Sequence, residues 1–200
     1  GNEPRVILWD AATGAQVRVL TGHDGYINGV AFSPDDKMLA DASDDKSTIL
    51  WDVASGRKLF TLWEHTDRVE HVAFAPDGKT LASCSRDRTI KLWDAATGGL
   101  KRTLNEPTGD VYDVTFSHRG NVLASGGKDR VIRLWDVDTG RVIRALEGHT
   151  DIVRCVAFAP DDKTLASAGA DNTVRLWDAA TGKLKQTLPG HTKRVMSVAY

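Results

Sequence analysis

His, Ser and Asp recur together along this chain of 200 residues at spacings that invite a nucleophilic reading. One set is His65, Ser83 and Asp87; a second is His149, Ser167 and Asp171. A serine nucleophile needs an imidazole base, a carboxylate to orient that base, and oxyanion donors beside an open cleft. Each set is followed by a tryptophan at one fixed distance, Trp93 and Trp177, and a third region supplies His23, Asp45 and Trp51 with Asp41 where the others carry Ser. The two complete sets have identical internal spacing. An enzyme seldom needs its triad once per structural unit, whereas a fold built by repetition needs its fastener every time. These residues are therefore read as structural hydrogen-bond fasteners, and no catalytic residue is assigned.

The elements that hold them repeat as well. Trp-Asp begins at Trp9, Trp51, Trp93, Trp135 and Trp177, a spacing of 42 residues throughout. Phe32, Phe74, Phe116 and Phe158 keep the same register, as do Asp45, Asp87, Asp129 and Asp171. Residues 65–98 and 149–182 agree at 24 of 34 positions, too many for chance, and a period of this length with this dipeptide marks a repeat architecture. Each copy reads as four short strands. In one, Val69–Phe74 runs into the turn Ala75-Pro-Asp-Gly78; Thr80–Ser85 is followed by a tight turn at Asp87. Thr89–Trp93 then alternates apolar and polar residues, the turn Asp94–Gly98 follows, and the polar Leu100–Leu104 suits an outer edge. Sustained helical periodicity is missing, so an all-β fold is expected. One such sheet cannot bury both faces; stacked copies can.

Bulk properties exclude several classes. With 26 Lys+Arg against 27 Asp+Glu the net charge is −1, which gives no global attraction for nucleic acid or anionic lipid. No apolar run approaches the roughly 20 residues of a membrane-spanning helix, so no membrane partner is expected. Two cysteines, Cys84 and Cys155, make no disulfide framework and fit a reducing, cytoplasmic setting. His71 and His118 fall in different copies without a second ligand at metal spacing, and no phosphate-binding glycine loop occurs. No metal and no cofactor are assigned.

Gly-His at Gly22-His23, Gly148-His149 and Gly190-His191, the five Trp-Asp pairs, and the Ser-Pro-Asp or Ala-Pro-Asp turns together resemble the WD-repeat (Trp-Asp repeat) β-propeller family over nearly the whole chain. The Asp-Ala-Ala-Thr-Gly turns and uniform repeat length resemble its bacterial-type arrays. The resemblance implies blades of four antiparallel strands, at about 27–62, 69–104, 111–146 and 153–188, with one further blade split and incomplete. It also implies a bond chain in each fastener, from the turn Asp through His and Ser to the Trp indole. Two copies depart. In the first, Asp41 replaces Ser, with Ser43 as the alternative partner; a buried carboxylate there would be expensive. In the third, Glu106-Pro107 stands where Gly-His belongs, leaving Ser125, Asp129 and Trp135 without an imidazole.

Within this fixed frame some positions vary. Flanking the start of each first strand stand Tyr26 and Asn28, Arg68 and Glu70, Asp110 and Tyr112, Ile152 and Arg154, Arg194 and Met196; before the turn Asp stand Asp44, Arg86 and Lys128. The resemblance places these around the mouth of a ring, where protein partners dock, and Tyr, Arg and Met are types enriched in interface hot spots. Trp63 replaces Thr21, Asn105, Glu147 and Pro189 at the loop leading into a copy, an anchor if exposed and a plug if buried.

A non-catalytic scaffold for protein or peptide partners is the leading expectation. The alternative is a sensing or regulatory segment of a larger bacterial signalling protein, kinase or nucleotide-driven switch, with its catalytic part elsewhere. A Ser-His-Asp hydrolase comes third. Five copies of the repeat would need ten more residues than are present, and alignment places the absent stretch opposite Ser33–Ala42. Trp9 and His191 then belong to a fastener without its Ser, with Glu3 at the turn position. The expectation is one domain over residues 1–200 that forms part of a ring of about seven blades, whose unpaired edges invite self-association.

Overall fold

A computed structural model describes residues 4–105 and 107–200; Glu3 and Glu106 lie outside the described residues. Among these, eighteen strands and no helix are found, so no helix is long and apolar enough to cross a membrane. Strands β1 (Arg5–Trp9) and β2 (Gln16–Thr21) pair as a two-stranded sheet. Four four-stranded antiparallel sheets follow, each a simple meander. The first comprises β3 (Ile27–Phe32), β4 (Met38–Ser43), β5 (Thr48–Asp52) and β6 (Lys58–Leu62). The second comprises β7 (Val69–Phe74), β8 (Thr80–Ser85), β9 (Ile90–Asp94) and β10 (Leu100–Leu104). The third comprises β11 (Val111–Phe116), β12 (Val122–Gly127), β13 (Ile132–Asp136) and β14 (Val142–Leu146), and the fourth β15 (Val153–Phe158), β16 (Thr164–Gly169), β17 (Val174–Asp178) and β18 (Leu184–Leu188).

The all-β expectation of four-stranded blades, with one blade short of its full set, is met. The blades stack through their first strands, β3 on β7, β7 on β11 and β11 on β15. Each blade junction has its own apolar core. Between the first and second blades, Ala40, Leu50 and Leu62 meet Val69, Val72, Leu81 and Trp93. Trp135 and Trp177 occupy the corresponding places at the next two junctions, and Trp51 packs with Leu20 beneath β1–β2. Burying one such large apolar side chain contributes on the order of 1.5–3 kcal/mol, so each Trp ties its own blade to the preceding one. Val30 and Phe32 of the first blade stay half-exposed, whereas their counterparts Val156 and Phe158 are buried.

The turn between the second and third strands carries the fastener Asp and presses the next residue into the left-handed region. Lys46 (φ 75°), Arg88 (68°), Arg130 (67°) and Asn172 (65°) all sit there without being glycine. A non-glycine residue in that region is costly unless its surroundings hold it. The Asp side chain provides that hold: Asp87 Oδ1, for example, accepts from Thr89 N (2.9 Å), which closes the turn over Arg88.

The fasteners and the loop face

In the second blade, the loop after β6 brings His65 beneath the turn that joins β8 to β9. The Asp87 carboxylate can only accept, so His65 Nδ1 donates to Oδ2 at 2.8 Å and Nε2 accepts from the Ser83 hydroxyl at 2.8 Å. Ser83 Oγ in turn accepts the Trp93 indole N–H at 2.8 Å. The fourth blade repeats this with His149 Nδ1–Asp171 (2.8 Å), Ser167–His149 Nε2 (2.7 Å) and Trp177–Ser167 (2.8 Å). Each chain spans the loop and both central strands. Ser83 and Ser167 are completely buried under the indole and the imidazole. The connectivity is that of a hydrolytic triad, but the hydroxyl has both of its neighbours and no opening beside it.

Electrostatics follow from that connectivity. Burial pushes the His149 imidazole below its ordinary value, with Asp171 opposing, while Asp171 is held at about 2 despite its own burial by bonds from Thr173, Thr150 and His149. Asp87 is likewise held well below the usual carboxylate range: burial opposes, and bonds from His65 and Thr89 prevail.

The first blade solves the problem differently. Asp41 accepts from His23 Nε2 (2.9 Å), Trp51 Nε1 (2.9 Å) and Ile49 N (3.2 Å), while Asp45 takes His23 Nδ1 at 2.7 Å. With a carboxylate at each nitrogen the imidazole must donate twice. Burial alone would depress His23, and Asp41 with Asp45 overcomes it, raising its pKa. Ser43, the alternative partner, is not used: its hydroxyl donates to Gly25 O (3.0 Å) and accepts from Asp45 N (3.2 Å). A residue two positions along a strand lies one step from the indole, and Asp41 already reaches both ends.

The third blade has no imidazole, yet Asp129 is not stranded. Arg133 Nη1 donates to its Oδ2 at 2.7 Å, and Trp135 Nε1 still donates to Ser125 at 2.9 Å. The sequence reading missed Arg133, four residues past the Asp on β13. It also missed a fifth fastener member. Ser47, Thr89 and Thr173 hydroxyls donate to the Oδ1 of Asp45 (2.7 Å), Asp87 (2.6 Å) and Asp171 (2.8 Å), and the third blade carries Val131 there. The available signal was a hydroxyl two residues past the turn Asp, in the 42-residue register and interrupted only at Val131: the blade that loses its His also loses its hydroxyl. Trp9 and His191 are both exposed.

The variable positions converge on one face of the blades, at the start of β3, β7, β11 and β15 and on the adjacent turns, and many engage one another. Arg68 Nη1 lies 3.2 Å from Asp44, which also accepts from Asn28 (2.9 Å). Arg86 pairs with Glu70, and Lys128 lies 3.5 Å from Asp110, which accepts from Tyr112 at 3.2 Å. The Tyr112 ring has Arg86 on it at 5.7 Å and Arg154 at 4.5 Å. Ile152 is half-buried, while Tyr26, Arg194 and Met196 are exposed, as is Trp63. Cys84 is buried and Cys155 half-buried, both free.

His71, set aside in the sequence reading, has a partner from the next blade. Its Nδ1 lies 2.8 Å from buried Asp113, which also accepts from Val114 N (3.0 Å) and Val156 N (2.7 Å). Asp113 thus links β7, β11 and β15. His118 Nδ1 is 3.0 Å from Asp162, which also takes His118 N (2.7 Å) and Arg119 N (3.0 Å), joining the third and fourth blades on the opposite face. Both pairs join adjacent copies, so a search for ligands within one copy passes over them. No cluster of three or more His, Cys, Asp or Glu suited to a metal ion occurs among the described residues.

These repeating sheets, each closed by a Trp-centred bond chain, define a WD-repeat protein. The family model for "WD domain, G-beta repeat" matches residues 14–52, 56–94, 98–136 and 140–178, and the chain belongs to that family. Each matched unit begins with the outermost strand of one sheet and continues into the first three strands of the next, so the sequence repeat and the blade are offset by one strand. The chain is also similar to "Protein HIR1" of Mycosarcoma maydis, 40% identical over 47 residues; this covers 24% of the chain and only 5% of that relative's length.

Proposed function

We propose that the chain is a non-catalytic interaction scaffold that receives protein or peptide partners on its loop face, around the starts of β3, β7, β11 and β15. The observation that carries this reading is the coexistence on that face of exposed large side chains, Tyr26 (79%), Trp63 (62%) and Met196 (60%), with a cross-braced set of charged residues. Exposed aromatic and methionine side chains beside a rigid polar frame suit partner docking, since little side-chain order remains to be imposed on binding. Family membership supports the same reading. The burial of Ser83 and Ser167 supports the non-catalytic part, because a scissile carbonyl reaches a nucleophile only through an open cleft.

The test is affinity capture from a lysate of the source cells using the protein as bait. A variant with Ala at Tyr26, Arg68, Tyr112 and Arg154 should lose the captured partner, while Ala at Lys79 and Arg141 on the opposite turns should keep it. Equal recovery by both variants would sink the loop-face assignment. A companion assay with ester and peptide substrates should give no turnover that Ser83→Ala abolishes.

A further inference from the structure

The second residue of each blade's first strand recurs at the loop face: Asn28, Glu70, Tyr112 and Arg154, followed by Met196 in the segment after β18. With the residues one step deeper they line a cavity of about 250 Å³ that includes His71, Asp113 and Cys155. The carboxylates at this cavity are already spoken for. Glu70 is held by Arg86, and Asp113 by His71 and two backbone amides.

Arg154 is the exception. Among the described residues its side chain makes no hydrogen bond or ion pair, its Nε is buried without a partner, and its guanidinium rests on the Tyr112 ring at 4.5 Å. A buried, unsatisfied N–H beside a cavity is unfavourable unless something supplies the acceptor. Stacking on Tyr112 limits the rotamers of the guanidinium, so a ligand need not order it.

We infer that this cavity receives a carboxylate side chain, Asp or Glu, from an acidic peptide segment of the partner, paired with Arg154. The guanidinium presents a planar fork of donors matched to a carboxylate. Recognition of a doubly charged phosphate uses several free arginines, whereas Arg154 is the one Arg or Lys lining this cavity among the described residues. Asn28 and the exposed Met196 complete its rim with an amide and an apolar contact. The inference rests on the loop face being the docking face and adds the chemistry of what docks.

The probe is a fluorescein-labelled dodecapeptide of alternating Glu and Ser, compared with its Gln-for-Glu counterpart by anisotropy at constant ionic strength. The Glu peptide should bind saturably, and the Gln peptide at least about tenfold more weakly, as one lost charge-assisted contact implies. Arg154→Met, which keeps the apolar stem, should weaken the Glu peptide by a similar factor, and Arg154→Lys should fall between. Arg130→Met, elsewhere on the same face, should change it less than about twofold. Amide spectra of Arg154→Met should overlay those of the parent away from the mouth, and in the parent the Arg154 Nε–H resonance should shift on binding. Equal binding of the two peptides, unaltered binding by Arg154→Met, or no saturable binding up to millimolar peptide would each overturn the inference. If partner capture still depends on the loop face in that event, the docking assignment survives and only its chemistry is wrong.

Discussion

Replacing Asp41 tests how a blade can be fastened by an ion pair instead of a serine. Asp41 is almost fully buried and accepts three bonds, from His23, Trp51 and Ile49 N. Asp41→Ala leaves buried donors without acceptors at about 1–3 kcal/mol each, and breaking a buried ion pair costs about 3–5 kcal/mol; the latter range is the expected loss. Asp41→Ser recreates the arrangement of Ser83 and Ser167 and should cost less than about 1 kcal/mol, because a hydroxyl serves both His and Trp while losing the desolvated charge. Since repeat arrays open blade by blade, the assay is hydrogen exchange of the β4–β5 peptide, not a global melt. Asp41→Ala should lower protection there by about a hundredfold to a few thousandfold, at roughly tenfold per 1.4 kcal/mol, with little change in β16–β17.

The pH dependence adds a second handle. His23 is raised, so its contribution is fully present below the unfolded value of about 6.5 and is lost as pH climbs through the folded one. His149 is lowered, so its blade gains stability as pH rises from the folded value to about 6.5. Corrected for intrinsic exchange rates, protection of β16–β17 should therefore rise with pH below about 6.5, that of β4–β5 should fall with pH above it, and Asp41→Ser should abolish the second trend. A cost below about 1 kcal/mol for Asp41→Ala, or equal damage from Ala and Ser, would refute the reasoning.

Three further perturbations probe the remaining fasteners. Arg133→Met removes the cation that covers Asp129 and should loosen β12–β13 by about 1–3 kcal/mol, read from exchange in that blade. His65→Ala should destabilise the second blade by about 2–3 kcal/mol, read as faster hydrogen exchange of the β8–β9 peptide. Asp162→Ala deletes the acceptor of three bonds to His118 and Arg119 and should raise exchange at the 117–120 turn, leaving the loop face and its peptide binding unchanged.

Much of this protein was legible before any coordinates. The 42-residue period, strand alternation and turn chemistry determine an all-β array, because each short sheet has apolar faces that only a neighbouring copy can cover. The His, Ser, Asp and Trp residues of each set recur at fixed spacing within one copy and its entering loop, and the family resemblance implied the order of their bonds. What the sequence could not show lies between copies or depends on which of several nearby groups wins a bond. Asp41 outcompetes Ser43 because it reaches indole and imidazole together. Arg133 stands in for the missing His because a long side chain on β13 reaches back to the turn. The pairs His71–Asp113 and His118–Asp162, and Arg154 stacked without a partner on Tyr112, arise only when blades pack. Local periodicity specifies each sheet, but the charge and hydrogen-bond state of its surface is decided by side chains about 42 residues apart, and only the tertiary structure brings them within 3 Å.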